Sequence, residues 1–215
     1  IKIDEEIKIH SNFIWLTLGQ LKALMQIDNI VNMDTRTVIS GIPFGSFSAE
    51  TIDFFNFLNK SGNYQTKFLR SALLKDDALH SMEEIITFMT QIKSVNDLGV
   101  KQIVLSEMDN WEITPNEIKH VENKYFRIIG VEVEIGNREV VKWSQPMVEP
   151  SQNGLCAFVC KEIHGVLHFA VQAKLECGNH DIIEFAPTVQ TLTDDYRVTP
   201  KNKLPFLDYI LDIEK

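Results

Sequence analysis

The sequence predicts an α+β fold, a mixed β-sheet flanked by helices and preceded by an N-terminal helical arm. Three observations predict it. Two capping boxes, Thr17-Leu18-Gly19-Gln20 and Ser81-Met82-Glu83-Glu84, each open a stretch with apolar residues three and four apart. After residue 94 the apolar period falls from near four to two. The chain of 215 residues, 44% hydrophobic and 24% charged, is long and apolar enough to bury a core of its own. No apolar run reaches the roughly 18 residues that a bilayer-spanning helix needs.

Taken in order, residues Ile1 to His10 alternate weakly, and Leu18, Leu21, Leu24 and Met25 follow the first capping box as a short amphipathic helix. Asn32-Met33-Asp34-Thr35-Arg36-Thr37 is a dense polar cluster between apolar neighbours. Residues 45–80 are rich in Phe (Phe47, Phe54, Phe55, Phe57, Phe68) with irregular helical patterning. Each such ring buries about 150 Å² or more, so this helical arm is expected to dock on a partner face. Met82, Ile85, Ile86, Met89 and Ile92 form one stripe, giving a helix over 82–94. Val100 to Leu105, Tyr125 to Glu134, Arg138 to Trp143, Leu155 to Lys161, Val166 to Glu176 and Asp181 to Phe185 read as strands. Thr114-Pro115-Asn116-Glu117 has the signature of a brief helix start, and His164-Gly165 that of a hairpin turn. The reading divides the chain into an arm over 1–80 and an α+β module over 81–215.

Charge and cysteine usage narrow the function. Twenty-one Lys and Arg against thirty Asp and Glu leave a net charge of −9, which argues against binding along a nucleic-acid backbone. An anionic ligand would have to meet a local cluster of cations. Cys156, Cys160 and Cys177 are an odd set without a CxxC pair, which suits a reducing compartment and a cytoplasmic location. The chain opens on Ile1 without the features of a signal peptide, as though cut from something longer.

The segment Val166 to Lys174 is the most informative for chemistry. Alternation sets Leu167, Phe169, Val171 and Ala173 on one face and His168, Ala170, Gln172 and Lys174 on the other. An imidazole, an amide and an ammonium in line across an alanine suit the floor of a ligand cleft; the ordinary alternative is a solvated sheet face. Arg138 and Lys142 share one strand face, and Trp143 and Gln145 the other, until Pro146 is expected to end the pairing. A Trp beside a Gln can stack a planar base and bond its edge. Glu184 sits between Ile183 and Phe185, and burial in general favours the neutral form of a carboxyl group, as a general acid or base requires. Arg36 offers a planar fork for a pyrophosphate or, alternatively, pairs with Asp34 to fix its loop. His10, His80, His120 and His180 lack ligand-like spacing, and no HExxH, GxxxxGK[ST], GxSxG or GxGxxG pattern occurs.

Several segments together resemble the NDP-hexose 2,3-dehydratase family. They are Trp15 to Leu21, Val31 to Val38, Leu79-His80-Ser81-Met82, Asn137 to Val140 with Trp143-Ser144-Gln145-Pro146, Gly165-Val166-Leu167-His168 with Val171-Gln172-Ala173, and Glu184 to Gln190. The resemblance implies removal of water from a nucleotide-linked 4-keto-6-deoxyhexose, usually dTDP-linked, without a metal or redox cofactor. It also implies a Nudix-like fold, although the Glu-rich Nudix box is missing from this sequence. Family members usually carry two such modules, so the resemblance implies either a fragment of such a protein or a one-module version that pairs with itself. The symmetric homodimer, with the Phe-rich arm in the interface, is the preferred expectation. For an elimination beside a ketone, His168 and Glu184 are the expected base and acid, and Gln172 and Gln145 the donors to the enolate oxygen. Arg36, Arg138 and Lys174 are the expected phosphate partners, Trp143 or Trp15 the stacking platform, and Gln190 a further substrate contact. Two other readings are a catalytically silent partner module and, last, a Nudix-type nucleotide diphosphatase.

Overall fold

The computed structural model of the chain describes residues 1–42, 53, 64–73, 77–136, 139–151, 153–191 and 204–211. Packing divides the chain into a first unit (residues 1–99, 156–190 and 204–215) and a second (residues 100–155 and 191–203). The α+β class holds, with helices and mixed sheet together in the first unit and an antiparallel sheet in the second.

The first unit is built on β9 (Val166–Leu175). Along one edge run β8 (Cys160–Ile163) and then β10 (Ile183–Ala186), and the other edge takes β2 (Phe13–Thr17), all antiparallel to β9. The short β1 (Lys2–Ile3) adds to β8 in parallel. His164 and Gly165, both at positive φ (52° and 76°), close a two-residue turn between Ile163 and Val166, as the sequence predicts. Leu167, Phe169, Val171 and Ala173 face a core shared with Ile14, Leu16, Ile183 and Phe185. Against it pack α1 (Leu18–Leu24), α2 (Met33–Ser40), α3 (Tyr64–Leu73) and α4 (Met82–Val95). Both predicted capping boxes are present, at Thr17 with Gln20 and at Ser81 with Glu84. Gly19 permits the close approach of α1 to α3, because a Cβ there would stand 2.6 Å from the Ala72 carbonyl oxygen.

The stretch read as a helical arm contains sheet. Strand β2 is apolar at every second position and at most of those between, because both of its faces are covered, and a strand of that kind loses its alternation. Phe68 of α3 packs on Phe169 of the chain's own core instead of a partner face. Phe47, Phe54, Phe55 and Phe57 lie outside the described residues. The opposite face of the sheet carries a smaller core of Ile3, Trp15, Val159 and Ala170, flanked by Ile1, Ile7, Ile9, Phe206 and Tyr209, the last on α5 (Leu207–Leu211).

The second unit is a four-stranded antiparallel sheet in the order β3 (Trp111–Ile113), β4 (Glu117–His120), β5 (Phe126–Glu134), β6 (Lys142–Pro150). Four local expectations are corrected here. Thr114 to Glu117 is a turn joining β3 to β4, with the Thr114 hydroxyl accepting from the Asn116 and Glu117 N–H groups, so the capping chemistry is used without a helix following. Strand β6 begins at Lys142 and runs through Pro146, opposite Gly130, to Pro150; as an edge strand it tolerates a residue that cannot donate. Val100 to Leu105 forms no strand, its apolar side chains lying exposed without a pairing neighbour among the described residues. The segment from Leu155 to Lys161 is broken into β7 (Leu155–Ala157), which pairs with β11 (Val189–Thr191), and β8.

Candidate active site

The hydrophilic row on β9 is real, and its two ends differ. Residues opposite one another in an antiparallel pair share a face. The register therefore sets Thr17 and Lys161 beside His168, Trp15 beside Ala170, Phe13 and Ala186 beside Gln172, and Glu184 beside Lys174. At the first end His168 is fully buried. Its Nδ1 lies 2.8 Å from the Val166 carbonyl oxygen and its Nε2 accepts from the Leu79 N–H at 3.0 Å. That pattern is the neutral Nδ1–H tautomer, and burial holds the imidazole's proton affinity below its ordinary value. A ring with both nitrogens committed to backbone has no lone pair left for a substrate proton. The expectation of His168 as base or acid is corrected accordingly: it ties the 79–80 loop to the sheet.

The same end is held by three neighbouring bonds. Ser71 Oγ accepts from the Leu18 N–H and donates to the Leu167 carbonyl, and Gln20 Nε2 donates to the His80 carbonyl. Near the strand's middle, Thr188 Oγ1 accepts from the Val159 N–H and donates to the Ala170 carbonyl.

The other end carries Gln172, Lys174 and Glu184. Gln172 and Lys174 are half-buried and Glu184 is 8% exposed. Lys174 Nζ reaches Glu176 at 3.2 Å, and Glu184 makes no ion pair among the described residues. The strand pair between Val31 and Phe185 brings the start of α2 to the outer edge of β10. There Asn32 caps α2 through Thr35 and donates from Nδ2 to Gln190 Oε1 at 2.9 Å. Asp34, in the first turn of α2, acts on the Cys156 thiol, which burial and then the Asp34 charge push up to about 11, with Lys174 opposing. Asp34, Cys156, Lys174 and Glu176 thus share one field beside Glu184 and Gln172. Among the described residues no three of His, Cys, Asp and Glu are grouped so as to hold a metal ion.

The register sets Glu184 opposite Lys174, with Gln172 two residues along the same strand face, and Gln190 meets Asn32. Arg36 does not join them. Its Nε, Nη1 and Nη2 donate to the carbonyls of Val31, Met25 and Ile27, so the guanidinium is spent on holding the loop between α1 and α2. The expectation of a phosphate fork there, and its Asp34 alternative, are both replaced by a backbone staple. Trp15 is buried in the smaller core and offers no free ring face as a platform. Trp143 and Gln145 share a face of β6 in the second unit as read, with Trp143 Nε1 donating to Gln145 Oε1 at 2.6 Å. Arg138 lies outside the described residues. Asp34, Cys156 and Glu176 are the members that sequence reasoning missed. Glu176 continues the period-two row of His168 to Lys174 and was legible there; Asp34 and Cys156 meet only through the fold.

A family model described as NDP-hexose 2,3-dehydratase matches residues 1–42 and 82–215. Among curated proteins, the chain is 40% identical over 212 residues to a dTDP-4-dehydro-6-deoxy-alpha-D-glucopyranose 2,3-dehydratase of Saccharopolyspora spinosa, covering 98% of this chain and 43% of that protein. Proteins of the same description from Amycolatopsis orientalis and Streptomyces violaceoruber are 31% and 38% identical, over 96% and 86% of this chain and 38% of each of theirs. The chain therefore spans about two fifths of the length of these relatives. With its quoted motifs distributed along that match, the chain belongs to the NDP-hexose 2,3-dehydratase family.

Proposed function

We propose that this chain contributes to removing water across carbons 2 and 3 of a nucleotide-linked 4-keto-6-deoxyhexose, with dTDP as the carrier, and that the chemistry takes place at the Lys174–Glu184 end of β9. The observation that carries this reading is a nearly buried carboxylate, Glu184, set opposite the Lys174 ammonium, with Gln172 two residues along the same strand face. The names of the relatives supply the substrate class.

In the reaction the ketone at carbon 4 acidifies the hydrogen on carbon 3. A base takes that proton, and the C3–H electron pair delocalises onto the carbon 4 oxygen. As the enolate returns its electrons to form the C2–C3 double bond, the C2–O bond breaks and the hydroxyl leaves as water with a proton from an acid. The 3-enol then tautomerises to the 3,4-diketone. Glu184 is assigned the base, Lys174 and Gln172 the groups that meet the enolate oxygen or the leaving hydroxyl, and Gln190 a substrate contact oriented by Asn32. Lys174 is assigned a contact to the diphosphate. The reading carries with it a Nudix-like ancestry for the mixed sheet, a homodimer in which a second copy supplies the other module, and a cytoplasmic site of action, which the free thiols of Cys156, Cys160 and Cys177 suit.

The test is to follow loss of the 4-keto substrate. Glu184→Gln is expected to lose at least the roughly hundredfold that general base catalysis contributes, with an unchanged melting midpoint. Activity within tenfold of the parent would remove Glu184 from the mechanism. The reading as a silent module predicts instead that the parent binds dTDP weakly or not at all by calorimetry. A Nudix-type diphosphatase predicts magnesium-dependent phosphate release, and ranks last because the sequence lacks the box of glutamates.

A further inference from the structure

We infer that Asn32 is a positioning residue that fixes the polarity of the Gln190 amide, so that Gln190 offers the substrate its NH2 donors and meets an acceptor oxygen there, a carbonyl or a phosphoryl. The inference rests on the reading of Gln190 as a substrate contact and adds which end of the amide is presented.

The orientation follows from a backbone group. A backbone N–H only donates, so Asn32 must turn Oδ1 to the Thr35 N–H, at 2.9 Å. Nδ2 is then the group left to face Gln190, and because an NH2 group needs an acceptor, Gln190 must turn Oε1 to it, at 2.9 Å. Reversing either amide sets donor against donor. Both ends of this relay are anchored. Asn32 caps α2, its own N–H donates to the Phe185 carbonyl at 3.0 Å, and Thr35 Oγ1 donates to the same carbonyl at 3.1 Å. Gln190 lies on β11, two residues past Thr188, whose hydroxyl is held by the Val159 N–H and the Ala170 carbonyl. Asn32 and Gln190 are 4% and 8% exposed, so little water competes for the bond between them. Gln190 Nε2 makes no bond among the described residues, which leaves its donors unspent. A nearly buried amide with its carbonyl satisfied and its NH2 unspent is prepared for an acceptor and disfavours a donor in the same place.

The test inverts the polarity without removing the cap. Asp accepts from the Thr35 N–H as Asn does but has no donor, so in Asn32→Asp the Gln190 amide must turn over and present its carbonyl to the substrate. The intact chain is titrated with dTDP and with the dTDP-linked 4-keto-6-deoxyhexose, and the Gln190 NH2 resonances, assigned by their loss in Gln190→Met, are followed by NMR. In the parent these resonances are expected to shift when ligand is added. In Asn32→Asp they are expected to have shifted before any ligand is present, because they then bond the new carboxylate, and affinity is expected to fall at least about tenfold. A role confined to stitching α2 to β11 predicts equal affinities, since the bond between the two side chains survives the inversion. Asn32→Ser, a neutral cap too short to reach Gln190, leaves the amide free to turn either way. It is expected to weaken binding less than Asn32→Asp does, separates polarity from charge repulsion, and serves if Asn32→Asp does not fold. Weakening with both ligands places the acceptor on the nucleotide; weakening with the keto sugar alone places it on the sugar. Parent-like turnover in Glu184→Gln would remove the base from the reading above and leave this contrast standing. Affinities unchanged in both Asn32 variants, no binding of either ligand by the parent, or Gln190 resonances that ligand does not move overturn the inference.

Discussion

The two units use polar residues in opposite ways. In the first, polar groups enter the core and several are tied down: His168 by two backbone groups, Thr188 and Ser71 each by a donated and an accepted bond, Asn32 by its own helix and Gln190. In the second, His120 is the one buried residue among those described, and the charges stay outside in a ladder of Glu112, Lys119, Glu117, Arg127 and Glu149. The difference teaches where function can be precise. A side chain fixed by burial and by bonds from two elements keeps its position through the reaction, whereas an exposed ion pair contributes little and rearranges freely. The chemistry is therefore assigned to the first unit's sheet.

The largest test of that contrast truncates an apolar side chain in each unit. Phe185 is fully buried, stacked with Phe88, and central to the main core. Phe185→Ala is expected to lose about 3–5 kcal/mol in chemical denaturation. Val148, 64% exposed on β6, is expected to lose less than about 0.5 kcal/mol as Val148→Ala. A large loss at Val148 would break the comparison and point to a covered second-unit sheet in solution, as a homodimer could provide.

Next in size is His168. His168→Asn is expected to cost about 2–3 kcal/mol, since the buried Val166 carbonyl and Leu79 N–H lose their partner. The pH dependence carries the sign of its shift. The folded state holds the imidazole neutral below the ordinary value of 6.5, so near and below that pH the unfolded chain binds more protons. Stability from this residue is present at neutral pH and is lost as pH falls from about 6.5 toward the lower folded value. The parent's denaturation midpoint should decline over that range, and the variant's should decline less. Equal slopes would mean that the imidazole is not the group being protonated.

How much of this was legible in the sequence follows the same division. Both capping boxes and the His164-Gly165 turn were readable because each depends on residues within four positions of one another. The row on β9 was readable because strand geometry forces alternation, even though His168 proved to be a structural residue. Side chains alone show an imidazole facing a sheet; they do not show that a loop 89 residues earlier supplies the N–H that occupies it. Arg36 failed for the same reason, its three acceptors being carbonyls, which no residue type reveals. Strand β2 was hidden because a strand covered on both faces has little period, and the Thr114 signature misled because a turn and a helix start share the same first bonds.

The smallest expected effect lies in the second unit's charge ladder. Arg127 bridges Glu117 and Glu149 across three strands, and Lys119 holds Glu117 and Glu112 on the same face. The Lys119 bond holds the Glu117 carboxyl below the usual carboxylate range, with Arg127 assisting. Every member is open to water, where screening and side-chain freedom offset most of the attraction. Arg127→Gln should therefore shift the melting midpoint slightly at low salt, and the shift should vanish near 1 M salt, where the screening length is about 3 Å. Phe185→Ala, acting through packing, should keep its full effect at both salt concentrations. If the Arg127 effect survived high salt, the ladder would have to be shielded from solvent, and the second unit would resemble the first more closely than its exposed surface indicates.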